Sequence, residues 1–250
     1  MHVPELSLMS WRDAKTAMGT ARVALVPIGS TEQHGPHMTL DTDSAIAEAF
    51  ARKIGEHLGD NSLLCPTIRL GMSEHHMSFA GSLTLRAPTL LGLIDDLVES
   101  LAHHGLKRVL LVNGHGGNQD GLRLAARAAG RDGTSKVAAL MWAALAADLI
   151  LQRAATPYHS HACDIETSVA LAIAPHVVLR ERIEAPSQPT GPAALAEPRS
   201  RYDMPVRFEE WTGNGALGDP RLATKELGDE IVALALERAI DFAQRFIDRS

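Results

Sequence analysis

Short apolar runs alternate along the chain with segments in which apolar residues recur at helical spacing. Residues 22–29 (RVALVPIG) and 107–114 (KRVLLVNG) each end at a glycine, and their continuous apolar character is typical of buried parallel strands. Residues 62–71 (SLLCPTIRLG) and 136–142 (KVAALMW) repeat the strand-like pattern. The sequence therefore predicts a strand in each of these four runs.

Amphipathic segments separate the predicted strands. Residues 43–59 carry apolar side chains at helical spacing and end at a glycine. Pro88 opens the next helix and Gly105 closes it. Further helices are predicted at residues 119–130 and 165–175 and at the C-terminus. This alternation predicts an α/β fold with a mostly parallel sheet covered by helices on both faces.

The length and order of the segments favour one domain. The chain has 250 residues, which suits a single α/β domain. Residues 184–205 are rich in Pro, Ala and Ser, but only one helix follows them, so we interpret them as a surface excursion and not as a domain boundary. We therefore predict one domain over residues 1–250.

Charge and cysteine content exclude several classes of partner. The formal net charge is −6 and the basic residues are scattered, so neither a nucleic acid nor a membrane surface is an expected partner. The sequence shows no signal peptide and no transmembrane window. Cys65 and Cys163 have no disulfide-scaffold spacing, which favours a cytoplasmic protein.

Imidazole and carboxylate side chains cluster where predicted strands end or a helix begins. They are Glu32, His34 and Asp43 after the first strand, His115 after strand 107–113, and His159, His161, Asp164 and Glu166 in residues 159–166. Ligands of open parallel sheets bind beyond the carboxyl ends of the strands. Imidazole and carboxylate ligands without thiolate suit Zn²⁺, Mn²⁺ or Fe²⁺. A pair of ions about 3.5–4 Å apart generates hydroxide near neutral pH and polarises a carbonyl, as amide hydrolysis requires.

Simpler interpretations exist for each cluster taken alone. A loop histidine is usually a surface group or a hydrogen-bond partner, and Asp43 could cap the helix that follows it. The glycine-rich turn 114–117 could bind phosphate, although it lacks the spacing of a dinucleotide site. A non-catalytic metal- or ligand-binding protein is a further alternative. The three clusters together favour the metal site.

Four segments resemble the creatininase family of metal-dependent amidohydrolases. They are residues 29–43 (GSTEQHGPHMTLDTD), 112–118 (VNGHGGN), 161–168 (HACDIETS) and 215–224 (GALGDPRLAT). The resemblance implies a three-layer αβα sandwich with a mostly parallel central sheet. It also implies two divalent metal ions per chain, Zn²⁺ first and Mn²⁺ or Fe²⁺ next, and assembly as a homo-oligomer, often a hexamer. The reaction that it implies is cleavage of a non-peptide or cyclic C–N amide bond in a small molecule.

The resemblance also assigns metal ligands. Glu32 and His115 would hold one ion, Asp43 would bridge, and His34 would hold the other. Creatininase itself takes a further glutamate at the position of Gly117. By analogy with relatives that share the NGHGGN form, we expect Glu166 to be the replacement ligand, and we count it among the catalytic residues as well.

The remaining assignments concern the proton and the substrate. His161 corresponds to the proton-shuttling histidine, and Cys163 either lines the pocket or is a small buried residue. His76 matches a histidine of the family's pocket segment, while His75 has no assigned role. Trp142 matches one of two pocket tryptophans, and Tyr158 adjoins the place of the second. That difference argues against creatinine as the main substrate.

Two other substrate classes fit the same site. Relatives with the HGGN form include deformylases of formylamino-pyrimidine nucleotides and the peptidase of mycofactocin maturation. A nucleotide would need a basic side chain near the pocket, for which Arg69 and Arg86 are candidates, although surface ion pairs are their more common role.

Overall fold

The structure is a computed structural model and describes residues 3–131, 133–156, 160–187 and 207–248. Within them a sheet of parallel strands forms in the order β2-β1-β3-β4. The strands are β1 (Val23–Ile28), β2 (Ser62–Leu64), β3 (Arg108–Asn113) and β4 (Lys136–Met141). Central strands β1 and β3 are buried almost throughout, as expected for a sheet covered on both faces.

Helices cover both faces of this sheet. They are α1 (Trp11–Thr20), α2 (Thr42–Leu58), α3 (Ala87–His103), α4 (Gln119–Ala129), α5 (Trp142–Leu145), α6 (Ala147–Arg153), α7 (Asp164–Ile173) and α8 (Lys225–Asp248). Alternate residues of β1 enter different cores: Leu25 packs with α2, α7 and α8, whereas Val26 packs with α3 and α4. The predicted αβα sandwich is therefore confirmed.

The predicted strands and helices differ from the observed ones in several places. The strand predicted over residues 62–71 is wrong in extent, because β2 ends at Leu64 and pairing with β1 returns only as an isolated bridge between Ile28 and Ile68. Helices α1 and α6 were not predicted; no residue of α1 is fully buried, although Ala17 and Met18 pack against the core. Trp142, predicted to end a strand, is the first residue of α5.

Three predicted features lie wholly or mainly outside the described residues. They are Tyr158, His159 and most of the predicted surface excursion at residues 184–205. Across the described ranges, no helix combines the length and apolar character needed to cross a membrane. The single-domain assignment stays a prediction.

Glycines at two strand ends bring the first turn of α2 close to the sheet. A Cβ atom on Gly29 would lie 2.3 Å from the backbone nitrogen of Ser44, and one on Gly114 would lie 2.1 Å from the carbonyl oxygen of Asp43. No larger residue fits at either position without moving α2. The two glycines therefore place Asp43 between the ends of β1 and β3.

Candidate metal centre

Asp43 lies between two histidines. It is the second residue of α2, not its N-cap, so the capping alternative is wrong. Its Oδ1 lies 3.1 Å from Nε2 of His34, and its Oδ2 lies 3.1 Å from Nδ1 of His115. A buried carboxylate that offers one oxygen to each of two imidazoles has the arrangement of a bridging ligand.

Glu32 is fully buried beside the same histidines. Its Oε1 lies 3.2 Å from Nδ1 of His115 and 3.2 Å from Nε2 of His76. Despite this proximity, neither Glu32 oxygen has an aligned hydrogen-bond partner among the described residues, and neither does Oδ2 of Asp43. Buried carboxylate oxygens without partners are costly. A cation bound among them would satisfy them.

Backbone carbonyls set the direction of both predicted ligand histidines. Nε2 of His115 lies 3.0 Å from the carbonyl oxygen of Met72, so it carries the hydrogen and directs the Nδ1 lone pair toward Asp43 and Glu32. Nδ1 of His34 lies 3.2 Å from the carbonyl oxygen of Glu32, which leaves Nε2 facing Asp43. Such outer hydrogen bonds fix the tautomer of metal-binding histidines.

Glu166 completes this group from the first turn of α7. Its Oε1 lies 3.9 Å from Nε2 of His34, and its Oε2 accepts a hydrogen bond of 2.6 Å from the backbone N–H of Ala162. Gly117 has no space for a competing side chain, because a Cβ there would lie 2.4 Å from Nε2 of His115 and 2.8 Å from the His75 ring. We call Glu32, His34, Asp43, His115 and Glu166 the metal floor.

The metal floor has strongly perturbed acidities. Burial alone would lower the pKa of His34, but Asp43 and Glu166 outweigh it and raise that pKa to about 10. Burial raises the pKa of Glu166 to about 7, with Asp43 adding to the effect and His34 opposing it. Carboxylates crowded in a buried pocket favour positive charge, either a proton on an imidazole or a metal cation.

A second group of side chains stands over the metal floor. His76 and His161 have ring centroids 4.6 Å apart, and Phe208 lies 4.1 Å from His76 and 4.7 Å from His161. His75 stacks on His115 at 5.7 Å with an interplanar angle of 10°. We call His75, His76, His161 and Phe208 the histidine wall.

Burial favours the neutral form of the rings in the histidine wall. Burial holds the pKa of His161 well below its usual range, assisted by His34 and His76. Burial likewise lowers the pKa of His76 to about 3. Nδ1 of His161 lies 3.9 Å from both Glu32 Oε1 and Glu166 Oε2, so it reaches the metal floor as a neutral nitrogen.

Donor atoms in three sets lie close enough for ion binding. Within each set the atoms are within 4.8 Å of one another; the sets are Glu32–Asp43–His115, His34–His161–Glu166 and Glu32–His76–His161. All donors are nitrogen or oxygen, as Zn²⁺, Mn²⁺ and Fe²⁺ accept. The described residues therefore fit the metals that the sequence predicts.

Other predicted residues lie away from this centre or have structural partners. Trp142 is 4% exposed in the core beside α8, and its indole N–H has no hydrogen-bond partner among the described residues. Burial raises the pKa of Cys163 to about 12, so its thiol is inert. Asp164 accepts a hydrogen bond from the backbone N–H of Ala155 at 3.0 Å. Arg69 pairs with Asp41 and Glu48.

Sequence reasoning missed two residues of the site. Gln33 stands between two predicted ligands, and its side chain reaches both His76 and His161 at 3.0 Å. Phe208 follows a long low-hydropathy segment and has no neighbouring motif. The sequence could have indicated Gln33 as a site residue, because it lies inside the GSTEQHG motif. It gave no such indication for Phe208.

Comparison with known proteins agrees with this geometry. The model of the family described as "Creatininase: Creatinine amidohydrolase" matches residues 7–243. The chain is 34% identical to the "Mycofactocin precursor peptide peptidase" of Mycobacterium ulcerans (strain Agy99), over 98% of this chain and 93% of that protein.

Solved creatininases share the fold and carry metals. A structure described as "Creatininase Mn" has a TM-score of 0.81 and 25% identity, covering 99% of this chain and 100% of its own. A mutant creatininase of "Zn-Zn type" has a TM-score of 0.79 and 26% identity, covering 98% of each chain. The chain belongs to the creatininase family of metal-dependent amidohydrolases.

Proposed function

We propose that this protein hydrolyses an amide C–N bond with a pair of divalent ions held by the metal floor and with His161 as the proton carrier. The observation that carries the proposal is Asp43, whose two carboxylate oxygens lie 3.1 Å from His34 and 3.1 Å from His115. A single carboxylate set between two imidazoles is suited to bridging two cations.

The ligands divide into two sets around Asp43. Glu32 and His115 would hold one ion, and His34 and Glu166 would hold the other. When bound, such ions lower the pKa of water and polarise the scissile carbonyl. Zn²⁺ is our first choice because nitrogen and carboxylate ligands predominate, and Mn²⁺ or Fe²⁺ is next.

The proton steps belong to His161. Its Nε2 donates to the carbonyl oxygen of Gln33 at 2.7 Å, so its Nδ1 presents a lone pair to the pocket. That nitrogen can accept a proton from the attacking water and deliver it to the departing amine. Such general acid–base help contributes about 10²–10⁴-fold. The neighbouring Phe208 ring limits the access of bulk water to this nitrogen.

The substrate is a small amide or, as a second candidate, a peptide. Similarity to the Mycobacterium ulcerans peptidase over 98% of the chain favours the peptide candidate. Of the two basic candidates for a nucleotide, Arg69 is already paired with Asp41 and Glu48, whereas Arg86 lies at an exposed position and stays a candidate. Assembly as a homo-oligomer and a cytoplasmic location stay predictions, and sedimentation analysis tests the first.

Metal analysis and a substrate panel together test the proposal. We expect about two ions per chain in protein loaded with Zn²⁺ or Mn²⁺, because each ligand set around Asp43 takes one. We expect the loaded protein to release amine from members of a panel of cyclic amides, formamides and short peptides. Chelation should abolish the activity and added metal should restore it. A protein that binds the ions but cleaves no member would favour the non-catalytic alternative.

A further inference from the structure

The side-chain amide of Gln33 has a fixed orientation. Its Oε1 lies 2.8 Å from the backbone nitrogen of Gly35, and its Nε2 lies 3.2 Å from the carbonyl oxygen of Gly215. A backbone N–H only donates and a backbone carbonyl only accepts, so the two contacts identify the oxygen and nitrogen of the amide. Gln33 is 6% exposed, so water does not compete for these bonds.

Gly215 provides the space for this arrangement. Its φ of +87° belongs to the left-handed region that favours glycine, and a Cβ there would lie 1.9 Å from Oε1 of Gln33. The backbone at residues 215–217 also pairs with His161, since the N–H of Leu217 donates to the His161 carbonyl at 2.8 Å. Residues 215–218 (GALG) therefore help to hold the Gln33 side chain in place.

Gln33 determines which nitrogen of His76 carries the hydrogen. Its Nε2 lies 3.0 Å from Nδ1 of His76, and because that amide nitrogen is a donor, Nδ1 must accept. The hydrogen of neutral His76 is then on Nε2, which lies 3.2 Å from Oε1 of Glu32. His76 therefore faces the pocket as a hydrogen-bond donor.

The nitrogen of His161 that faces the pocket carries no hydrogen, in contrast to that of His76. Its Nε2 lies 2.7 Å from the main-chain carbonyl oxygen of Gln33 and must donate to it, so Nδ1 faces the pocket as an acceptor. Nε2 of Gln33 is also 3.0 Å from Nε2 of His161, but that nitrogen already donates. The two amide hydrogens therefore go to His76 and to the Gly215 carbonyl.

We infer that Gln33 is a positioning residue that sets two neighbouring histidines in opposite hydrogen-bonding states, His161 as the acceptor and His76 as the donor. Its importance for turnover rests on the proposed function, whereas the tautomers themselves do not. The donor group Glu32–His76–His161 is accordingly not an ion site, because the His76 nitrogen that faces Glu32 carries a hydrogen.

Spectroscopy of the Zn-loaded protein tests the tautomers directly. With selective ¹⁵N labelling of histidine, protonated and unprotonated ring nitrogens have separate shifts, and the His76 and His161 signals are assigned by their loss in single variants. We expect unprotonated Nδ1 in both rings of the wild type. In Gln33→Glu at pH 8 we expect Nδ1 of His76 to become protonated, because a carboxylate accepts where the amide donated. His161 should not change, since the main-chain carbonyl remains.

Kinetics of a second variant test the consequence. Gln33→Met keeps the approximate shape of the side chain and removes the donor, and outer-shell changes of this kind cost about 10–100-fold in activity. We expect the loss in kcat, with zinc content retained. Ser82→Ala is the matched control, because Ser82 Oγ accepts from the backbone N–H of Gln33 at 3.3 Å and does not contact its amide. It should keep the wild-type tautomers.

The possible outcomes separate the two proposals. Protonated Nδ1 on wild-type His76, or a His76 signal that does not respond to Gln33→Glu, would overturn the role of Gln33. Unchanged kcat in Gln33→Met would do the same. Expected tautomers in a protein that cleaves no amide would support the assignment of Gln33 and contradict only the proposed function.

Discussion

The metal floor and the histidine wall share one pocket but differ in how their polar atoms are satisfied. In the metal floor both Glu32 oxygens and Oδ2 of Asp43 have no aligned hydrogen-bond partner among the described residues. In the histidine wall the nitrogens of His76 and His161 that face away from the pocket are held by Gln33. The metal floor therefore has buried carboxylate oxygens without partners in the described part of the chain, whereas Gln33 provides partners for these nitrogens of His76 and His161.

The difference suggests that the two groups serve different functions, ion binding and catalytic turnover. Unpaired buried carboxylates destabilise a folded chain unless a cation binds them, so the metal floor is arranged for ions at a cost in stability. The rings of His76 and His161 are hydrogen-bonded to Gln33 and pack against Phe208, so their orientation does not depend on an ion. We therefore expect substitutions in the metal floor to change ion content and substitutions in the histidine wall to change turnover.

Removal of the bridge should have the largest effect. Asp43→Asn replaces an oxygen that faces His34 or His115 with an amide NH₂, which cannot bind a cation. We expect ion content to fall well below two per chain and kcat/KM to fall about 10³-fold or more, since metal activation is worth several kcal/mol. Elemental analysis and amine release measure the two effects. A variant with full ion content and full activity would contradict the bridging role.

Asp164→Asn provides the matched control for that change. Asp164 is also fully buried, but its carboxylate accepts from the backbone N–H of Ala155 and from the hydroxyl of Thr156. We expect a loss of stability with ion content preserved. Equal loss of ions in both variants would mean that burial of a carboxylate, and not its place in the metal floor, governs metal binding.

Substitution in the histidine wall should affect turnover without affecting metal. His161→Gln keeps a donor for the Gln33 carbonyl and removes the nitrogen that faces Glu32 and Glu166. We expect kcat to fall about 10²–10⁴-fold while ion content is unchanged. His103→Gln, at an exposed position of α3, is the control for a lost imidazole. A parallel fall in ion content would make His161 a ligand and not the proton carrier.

A smaller effect is expected where the two groups meet at Gly117. In Gly117→Ala the new Cβ would lie 2.4 Å from Nε2 of His115 and 2.4 Å from the carbonyl oxygen of Met72, and so would disturb the hydrogen bond that orients His115. Loss of such a bond costs about 10–100-fold in metal affinity. Competition with a chelating dye measures that affinity.

The adjacent glycine supplies an internal control for this change. A Cβ on Gly116 meets no atom within 4 Å. Gly116→Ala should therefore bind metal as the wild type does. If metal affinity falls equally in both variants, the cause is the stiffness of the turn and not the contact between the new Cβ at residue 117 and His115.

The sequence predicted the sheet because β1 and β3 are uniform apolar runs that end at glycines. It also indicated Glu32 and His34 as candidate ligands, because they follow a strand and are two residues apart. It did not predict α1, because the apolar residues by which α1 packs on the core, such as Ala17 and Met18, are few and only partly buried. It missed Phe208 because an aromatic side chain carries no local sign that the folded chain will bring it to His161.

Gln33 was missed for a different reason. The motif around it was interpreted through its charged and ring side chains, and a neutral amide has no titratable or metal-binding signature. Its role depends on Gly35, Gly215, His76 and His161, which the fold brings together from four segments of the chain. Hydrogen-bond geometry of that kind can be derived only from coordinates.

Ala162 links His161 of the histidine wall to Glu166 of the metal floor, and its substitution should have the smallest effect. Its φ of 49° lies in the left-handed region, which costs a non-glycine residue about 1–2 kcal/mol. In Ala162→Gly that strain disappears, while the extra freedom of the unfolded chain costs about 0.4–1 kcal/mol. Ala162 is also fully buried, so the loss of its methyl group costs about 0.8 kcal/mol more. These terms nearly cancel, and we expect the unfolding free energy to change by less than about 1 kcal/mol, measured by urea denaturation.

An exposed alanine inside a helix is the reference for this change. Ala233→Gly, at an exposed position inside α8, should lose about 1 kcal/mol, since glycine is unfavourable in a helix. A smaller loss at Ala162 than at Ala233, despite the buried methyl group of Ala162, would support backbone strain between His161 and Glu166. A loss at Ala162 as large as that at Ala233, or larger, would mean that the Ala162–Glu166 hydrogen bond is held at no conformational cost.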